Sequence, residues 1–311
     1  MPDVAAVQFA EYGSPDVLAV RRIPAPVAAA GEVVVDIHAA SVNPIDWKLR
    51  AGLLHDVFPA HFPVTAGRDG AGVVSAVGEG VDAGRIGQRV CFLAPRGAGS
   101  WAEQVAMPSA QAVAFPDALP FTDAAALPLG GLSAWAGLVA TANVASGMRV
   151  LIHAAAGGVG TFAVQIARDR GAEVIATCSQ ANVAFVRALG ADEVIAYDRE
   201  RFDEKLSNID VVFDPLGGEV HRRSYKVLSR GGLMVCLTAA PYQDESAAYG
   251  VDVKRAQVLP DPVVLAELVA LAVAGRVRPV VEHVRPFADF AAAQAESETG
   301  HARGKTVLQI R

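Results

Sequence analysis

Apolar and polar positions change rhythm twice along the chain. Up to about residue 118 the pattern is short and turn-rich: residues 32–39 alternate around Val33, Val35 and Ile37, and residues 67–80 hold valine runs broken by glycine. Period-two alternation punctuated by glycine predicts an irregular β domain. From about Asp123 an Ala/Leu stretch with helical spacing runs to Ala140. After it, apolar runs at residues 150–153, 173–177, 193–196, 211–213 and 233–237 alternate with helical patterns. That alternation implies parallel βαβ units. Asp261-Pro262 reads as a helix start, Asp as cap and Pro in the first helical position, and Gly275 as its end. Strand-like residues 280–284, a helix over 287–296 and a last strand over 306–310 follow. The tail is expected to rejoin the first domain. That gives a β domain of residues 1–118 and 277–311, with an α/β domain of residues 119–276 inserted in it.

Bulk properties narrow the field. The 311 residues exceed what one hydrophobic core usually serves, which agrees with two domains. The formal charge is −6 and no more than two basic side chains are adjacent, so neither nucleic acid nor an anionic membrane is an expected partner. Asp3, Glu11 and Asp16 stand where a signal peptide needs a basic start, and the apolar stretch of residues 263–274 is interrupted by Glu267. Cys91, Cys178 and Cys236 are far apart, each in an apolar segment. They offer neither a disulfide framework nor a CxxC site, and a reducing cytoplasm is the expected setting.

The most informative passage is residues 150–160, where an apolar strand enters a glycine turn and then a helix with Val159, Phe162, Ala163, Ile166 and Ala167 on one face. Against the GxGxxG pattern the key positions are Ala155, Gly157 and Gly160, with Ala156, Gly158 and Val159 completing the turn. Gly157 lets backbone approach a pyrophosphate, Gly160 lets the helix pack closely on its strand, and amides at the helix start meet the negative charge. Without a ligand the same residues would form a plain tight turn. The ordered strand, turn, helix and second strand favour a dinucleotide. The second strand ends in residues 176–182 without Asp or Glu, and Ser179 and Asn182 offer hydrogen bonds to a 2'-phosphate. NADPH is therefore expected over NADH. Ser179 also fits as a helix cap.

Five passages carry a resemblance over nearly the whole chain: residues 39–48 (AASVNPIDWK), 67–74 (GRDGAGVV), 127–135 (LPLGGLSAW), the Gly157 turn, and 304–308 (GKTVL). On these the sequence resembles the medium-chain dehydrogenase/reductase superfamily, in its zinc-independent quinone oxidoreductase branch. The resemblance implies an α/β protein: a GroES-like β substrate domain plus a Rossmann, doubly wound parallel-sheet nucleotide domain, with the active site in the cleft between them. It places Asn43 and Ser133 near the nicotinamide, Gly157 to Gly160 at the pyrophosphate, and Ser179, Asn182 and Tyr197 at the adenosine ribose and its phosphate. In relatives a lysine often stands at the position of Asn182. Zinc-dependent members start a Cys-containing motif where this chain has Asn43, and follow a glycine with His-Glu where it has Arg68-Asp69. No zinc is expected.

Further residues follow from strand ends and from the resemblance. Asp214, with Gly217-Gly218, and Leu237-Thr238 end strands whose C-termini form the ligand crevice of such sheets. Lys305 precedes the last strand and is weighed as a cofactor contact or a solvated charge. Asn43, Lys48 and backbone amides are the donors expected to meet a developing oxyanion, while Asp46 is expected to fix the turn or the lysine. Phe58 and His61, with His55 and Phe62, lie in a loop that resembles the lining of a substrate pocket, and Trp47 is read as core or pocket wall. The expected activity is NADPH-dependent hydride transfer to a quinone or an α,β-unsaturated carbonyl. Alternatives are an enoyl reductase acting on thioesters, a coenzyme-binding sensor with little turnover and, weakest, a zinc alcohol dehydrogenase. Residues 251–259 resemble a sheet edge that relatives use between subunits, so a homodimer is expected.

Overall fold

The computed structural model describes residues 3–237 and 242–311, which divide into two compact units. The first comprises Met1–Leu129, Pro260–Val273 and Pro279–Arg311, and the second Gly130–Leu259 and Ala274–Arg278.

In the first unit, strand β1 (Asp3–Phe9) pairs antiparallel with β2 (Ala19–Pro24). Strand β3 (Glu32–Val42) leads into helix α1 (Pro44–Arg50), whose first-turn proline supplies the fixed φ that a helix start tolerates. Strands β4 (Val64–Thr65), β5 (Asp69–Val77), β6 (Arg89–Leu93), β7 (Gln104–Pro108) and β8 (Val113–Ala114) follow. The sequence shows β3 as an alternating half-buried strand. It is instead a central strand, paired with β5, β7 and the last strand, and Val34 is buried along with Val33, Val35 and Ile37. Helix α2 (Phe121–Trp135) begins in the first unit, passes into the second at Gly130 and continues there into a π-helical segment, Ala136–Thr141. By length and composition Phe121–Thr141 could cross a membrane, but 67% of its apolar window is buried in the protein. Its apolarity is thereby explained as core packing.

The second unit is built on β9 (Arg149–Ile152), α3 (Gly160–Asp169), β10 (Glu173–Cys178), α4 (Val183–Leu189), β11 (Glu193–Ala196), α5 (Phe202–Lys205), β12 (Ile209–Asp214), α6 (Gly218–Ser224), β13 (Leu228–Cys236), α7 (Ser246–Tyr249) and β14 (Asp252–Arg255). Its six strands form one parallel sheet in the order β11-β10-β9-β12-β13-β14. The order reverses beside β9, which is the Rossmann arrangement and puts a crevice at the strand C-termini. Leu151, Ile175, Ile195, Val212 and Met234 form the buried centre.

Helix α8 (Pro262–Val273) starts as the sequence indicates, with the Asp261 carboxylate accepting the amides of Val263 and Val264 at 3.0 Å. Strand β15 (Val281–Pro286), helix α9 (Phe290–Glu298) and strand β16 (Lys305–Gln309) complete the chain. The larger sheet of the first unit runs β15-β16-β3-β5-β6-β8, with β7 also on β3. Packing draws the borders differently from the apolar rhythm. The first unit reaches Leu129 rather than 118, and α8 belongs to it because the helix packs on β8.

Candidate functional site

The glycine turn of the second unit is a backbone cradle. The amide of Gly157 is spent on the carbonyl of Ala154 and that of Ala155 on Thr177, whereas the amides of Ala156, Gly158, Val159 and Gly160 meet no acceptor among the described residues. Successive uncommitted N–H groups where a helix begins are what a diphosphate needs. The two glycines serve different ends. A Cβ on Gly160 would lie 2.1 Å from the Ala154 carbonyl oxygen, so its absence permits α3 to pack on β9. A Cβ on Gly157 would meet nothing closer than 3.4 Å, so the chain itself does not require glycine there. That open face fits a coenzyme diphosphate.

Around this turn the expected residues divide. Ser133 is buried in α2. Ser179 accepts the Asn182 side-chain amide at 3.1 Å, and no capping bond from Ser179 to the following turn forms. Tyr197 is 55% exposed. Asp214 is fully buried and accepts the amides of Leu216 and Gly217, both at 2.9 Å, and His221 Nδ1, also at 2.9 Å. Burial pushes its carboxyl up, but these hydrogen bonds outweigh it and hold the pKa below the usual range. Leu237 donates its amide to the Asp214 carbonyl, and Thr238 lies outside the described residues. His221, which sequence reasoning passed over, and Cys236, which it read only as an isolated apolar-segment cysteine, join Asp214 in a triad whose ligand atoms lie within 4.8 Å. The triad is satisfied by its own hydrogen bonds, and burial holds the Cys236 thiol up at about 12.

The first unit holds a second polar centre, made by strand register. Thr306 pairs with Val42, so Lys305 stands opposite Asn43; Ala40 pairs with Gly70, so Ser41 stands opposite Asp69. The Asn43 side-chain amide donates to Asp69 at 2.7 Å and to Ser41 Oγ at 3.1 Å, and Lys305 Nζ donates to Asn43 Oδ1. Asp69 also accepts the Ser41 hydroxyl and, at 3.0 Å, the Leu129 amide. Asp46 fixes the turn as expected, its carboxylate accepting the Asn43 backbone amide at 2.7 Å. Burial, then the nearby Asp69 charge, pushes the Asp46 carboxyl up to about 7. Burial lowers the pKa of Lys305 against the pull of Asp69 and Asp46.

This arrangement revises two expectations. Lys305 is not a solvated charge but a buried ammonium. Asn43 has no side-chain N–H left for an oxyanion, since an amide has two and both are spent. Lys48 stands outside the cluster: it is half-buried, with its ammonium 5.5 Å from the Trp47 ring centroid and no hydrogen bond or ion pair of its side chain among the described residues. Phe58 is half-buried beneath the Arg96 guanidinium, and His61 is exposed. His55 is tied locally to the Gly52 carbonyl and to Asp56, and Phe62 packs edge-on against Phe9 and Tyr12. Ser41 and Asp69 are the members that sequence reasoning missed. The Arg68-Asp69 pair was the available signal, but only the register gives it partners. An amide, a hydroxyl and carboxylates around a buried ammonium do not fit zinc, which takes thiolate, imidazole and carboxylate ligands and would be repelled by the Lys305 charge.

Comparison with known proteins agrees with both units. The alcohol dehydrogenase GroES-like domain family matches residues 29–117, and the zinc-binding dehydrogenase family matches residues 189–308. The mouse NAD(P)H oxidoreductase RTN4IP1, mitochondrial, is 32% identical over 90% of this chain and 82% of its own length. The NADPH-dependent alkenal/one oxidoreductase, chloroplastic, of Arabidopsis thaliana is 33% identical over 98% of this chain and 79% of its own. These two names carry organelles, so the family does not single out the cytoplasm. The solved quinone oxidoreductase from Coxiella burnetii superposes with a TM-score of 0.92 at 31% identity, covering 99% of this chain and 100% of that one. This chain belongs to the medium-chain dehydrogenase/reductase superfamily, among its quinone oxidoreductase-like members.

Proposed function

We propose that the protein is a zinc-independent reductase that uses NADPH to reduce a quinone or an α,β-unsaturated carbonyl. The observation that carries the reading is the row of amides at Ala156, Gly158, Val159 and Gly160 that meet no acceptor among the described residues, a seat for a coenzyme diphosphate. When bound there, the reduced nicotinamide supplies a hydride. Ser179 and Asn182, at the end of β10, serve the adenosine end, where β10 itself brings no carboxylate. Similarity to quinone and alkenal/one oxidoreductases supports the acceptor class.

The first unit orients rather than attacks. Most of the rate in hydride transfer comes from positioning, and the charge that develops on the acceptor oxygen needs a hydrogen-bond donor. With Asn43 committed, Lys48 is a cationic donor whose N–H groups meet no partner among the described residues, and Lys305 is a positioning residue that fixes the Asn43 amide. The deciding experiment follows NADPH consumption by purified protein across quinones, enones, enoyl thioesters and aldehydes. Turnover with quinones or enones is expected. Coenzyme binding without turnover on the whole panel would leave only a sensor, and stoichiometric zinc in metal analysis would refute the metal-free chemistry.

A further inference from the structure

Beside the end of β10, where the coenzyme reading puts the adenosine, stands a carboxylate delivered by the neighbouring strand. In the parallel pairing of β10 with β11, Cys178 lies opposite Ala196, so Ser179 and Gln180 leave the sheet beside Tyr197 and Asp198. Two contacts confirm this closeness: the Tyr197 amide donates to the Cys178 carbonyl at 2.9 Å, and the Gln180 amide donates to Asp198 Oδ1 at 2.8 Å. Asp198 is exposed, and among the described residues it has no ion pair with Lys or Arg. Its charge also reaches back to the strand end, where, after burial, it helps push the Cys178 thiol up to about 11. Of Ser179, Gln180, Asn182, Tyr197 and Asp198, only Asp198 carries a formal charge, and it is negative.

We infer that Asp198 is a coenzyme-specificity residue, which accepts a hydrogen bond from the adenosine ribose of NADH and repels the 2'-phosphate of NADPH. The inference rests on the coenzyme reading above and refines it. An acidic side chain at the ribose hydroxyls marks NAD sites, and a second negative group beside a phosphate is penalised by Coulomb repulsion. In the usual pattern that acid ends the second strand. Here the second strand lacks it and the third supplies it, so the preference for NADPH is held to a small margin. Arg199, next in the chain and exposed, is the neighbouring cation able to work against Asp198.

The test compares kcat/KM for NADPH and NADH, with one acceptor, in the full-length wild type, Asp198→Asn and Arg199→Gln. Asparagine keeps an oxygen for the Gln180 amide, so the turn is retained. The wild-type NADPH-to-NADH ratio is expected to lie within about tenfold of unity, and Asp198→Asn to raise it about tenfold or more, through a lower KM for NADPH and a higher KM for NADH. A purely structural role would move both coenzymes together. A ratio in Asp198→Asn within about twofold of wild type overturns the inference, as does a ratio that collapses only in Arg199→Gln. If fluorescence titration shows that wild type binds neither coenzyme, the coenzyme reading itself fails and takes this inference with it. Binding of both with an unmoved ratio removes Asp198 alone.

Discussion

The Asn43 side-chain amide donates to the Asp69 carboxylate across 2.7 Å, and this bond, with those from Ser41 and Lys305, ties β3, β5 and β16 together at one buried point. Lys305 bonds to Asn43 and attracts the Asp69 and Asp46 charges without an ion-pair contact, so removing it leaves those buried carboxylates uncompensated. Lys305→Met is therefore expected to destabilise the protein by about 3–5 kcal/mol in urea melts. Combining it with Asp69→Asn should cost clearly less than the sum of the two single changes. Additive costs would show that Lys305 and Asp69 do not interact.

Lys48→Met separates the half-buried lysine from the buried one. If Lys48 meets the developing oxyanion, kcat with an enone should fall by about 100-fold or more, with the melting temperature almost unchanged. Unchanged turnover removes Lys48 from the mechanism.

Asp46 makes stability depend on pH in a direction unusual for a carboxylate. Its folded pKa, raised to about 7, lies above the unfolded value near 3.8, so the native state binds more protons between those limits. Its contribution is thus lost as pH rises through that window, and the penalty is complete above about 7. Asp46→Asn cannot ionise and still offers an oxygen to the Asn43 amide. Chemical denaturation at pH 5 and pH 8 should show the variant gaining on wild type at the higher value. An equal difference at both would contradict the raised pKa.

The two turn glycines should fail differently. Gly157→Ala is expected to melt like wild type yet bind NADPH about tenfold or more weakly, because the added methyl occupies only the open face. Gly160→Ala, which drives a methyl into the Ala154 carbonyl, should lose several degrees of melting temperature as well. Tight NADPH binding by Gly157→Ala would place the diphosphate elsewhere.

Strand β14 forms the outer edge of the parallel sheet in the second unit, with Asp252, Lys254 and Arg255 exposed along it. We propose that two chains pair through this edge. Light scattering at micromolar concentration should give twice the mass of one chain, and Val253→Pro should return it to a monomer. A monomeric wild type would refute the pairing.

Legibility followed the range of the interactions involved. Strands β10 and β11 stand out in the sequence because parallel strands covered on both faces read as continuous apolar runs. The start of β13 was hidden: its register on β12 jumps between Ile209 and Val211, and residues 229–232 are polar or glycine. The turn at Gly157 was legible because strand, turn and helix are local. Asp69, Lys305 and Asp198 were not, since each acquires its meaning from the strand that settles beside it. An acid-free end to β10 says nothing of what β11 brings.

The partnership of Asn43 with a lysine 262 residues away also bears on how such a site can change. Installing a cysteine at position 43 would set a thiolate against an ammonium, and the two would neutralise one another before any metal arrived. A change at position 43 has therefore to suit the charge at position 305, which couples a residue near the start of the chain to one near its end.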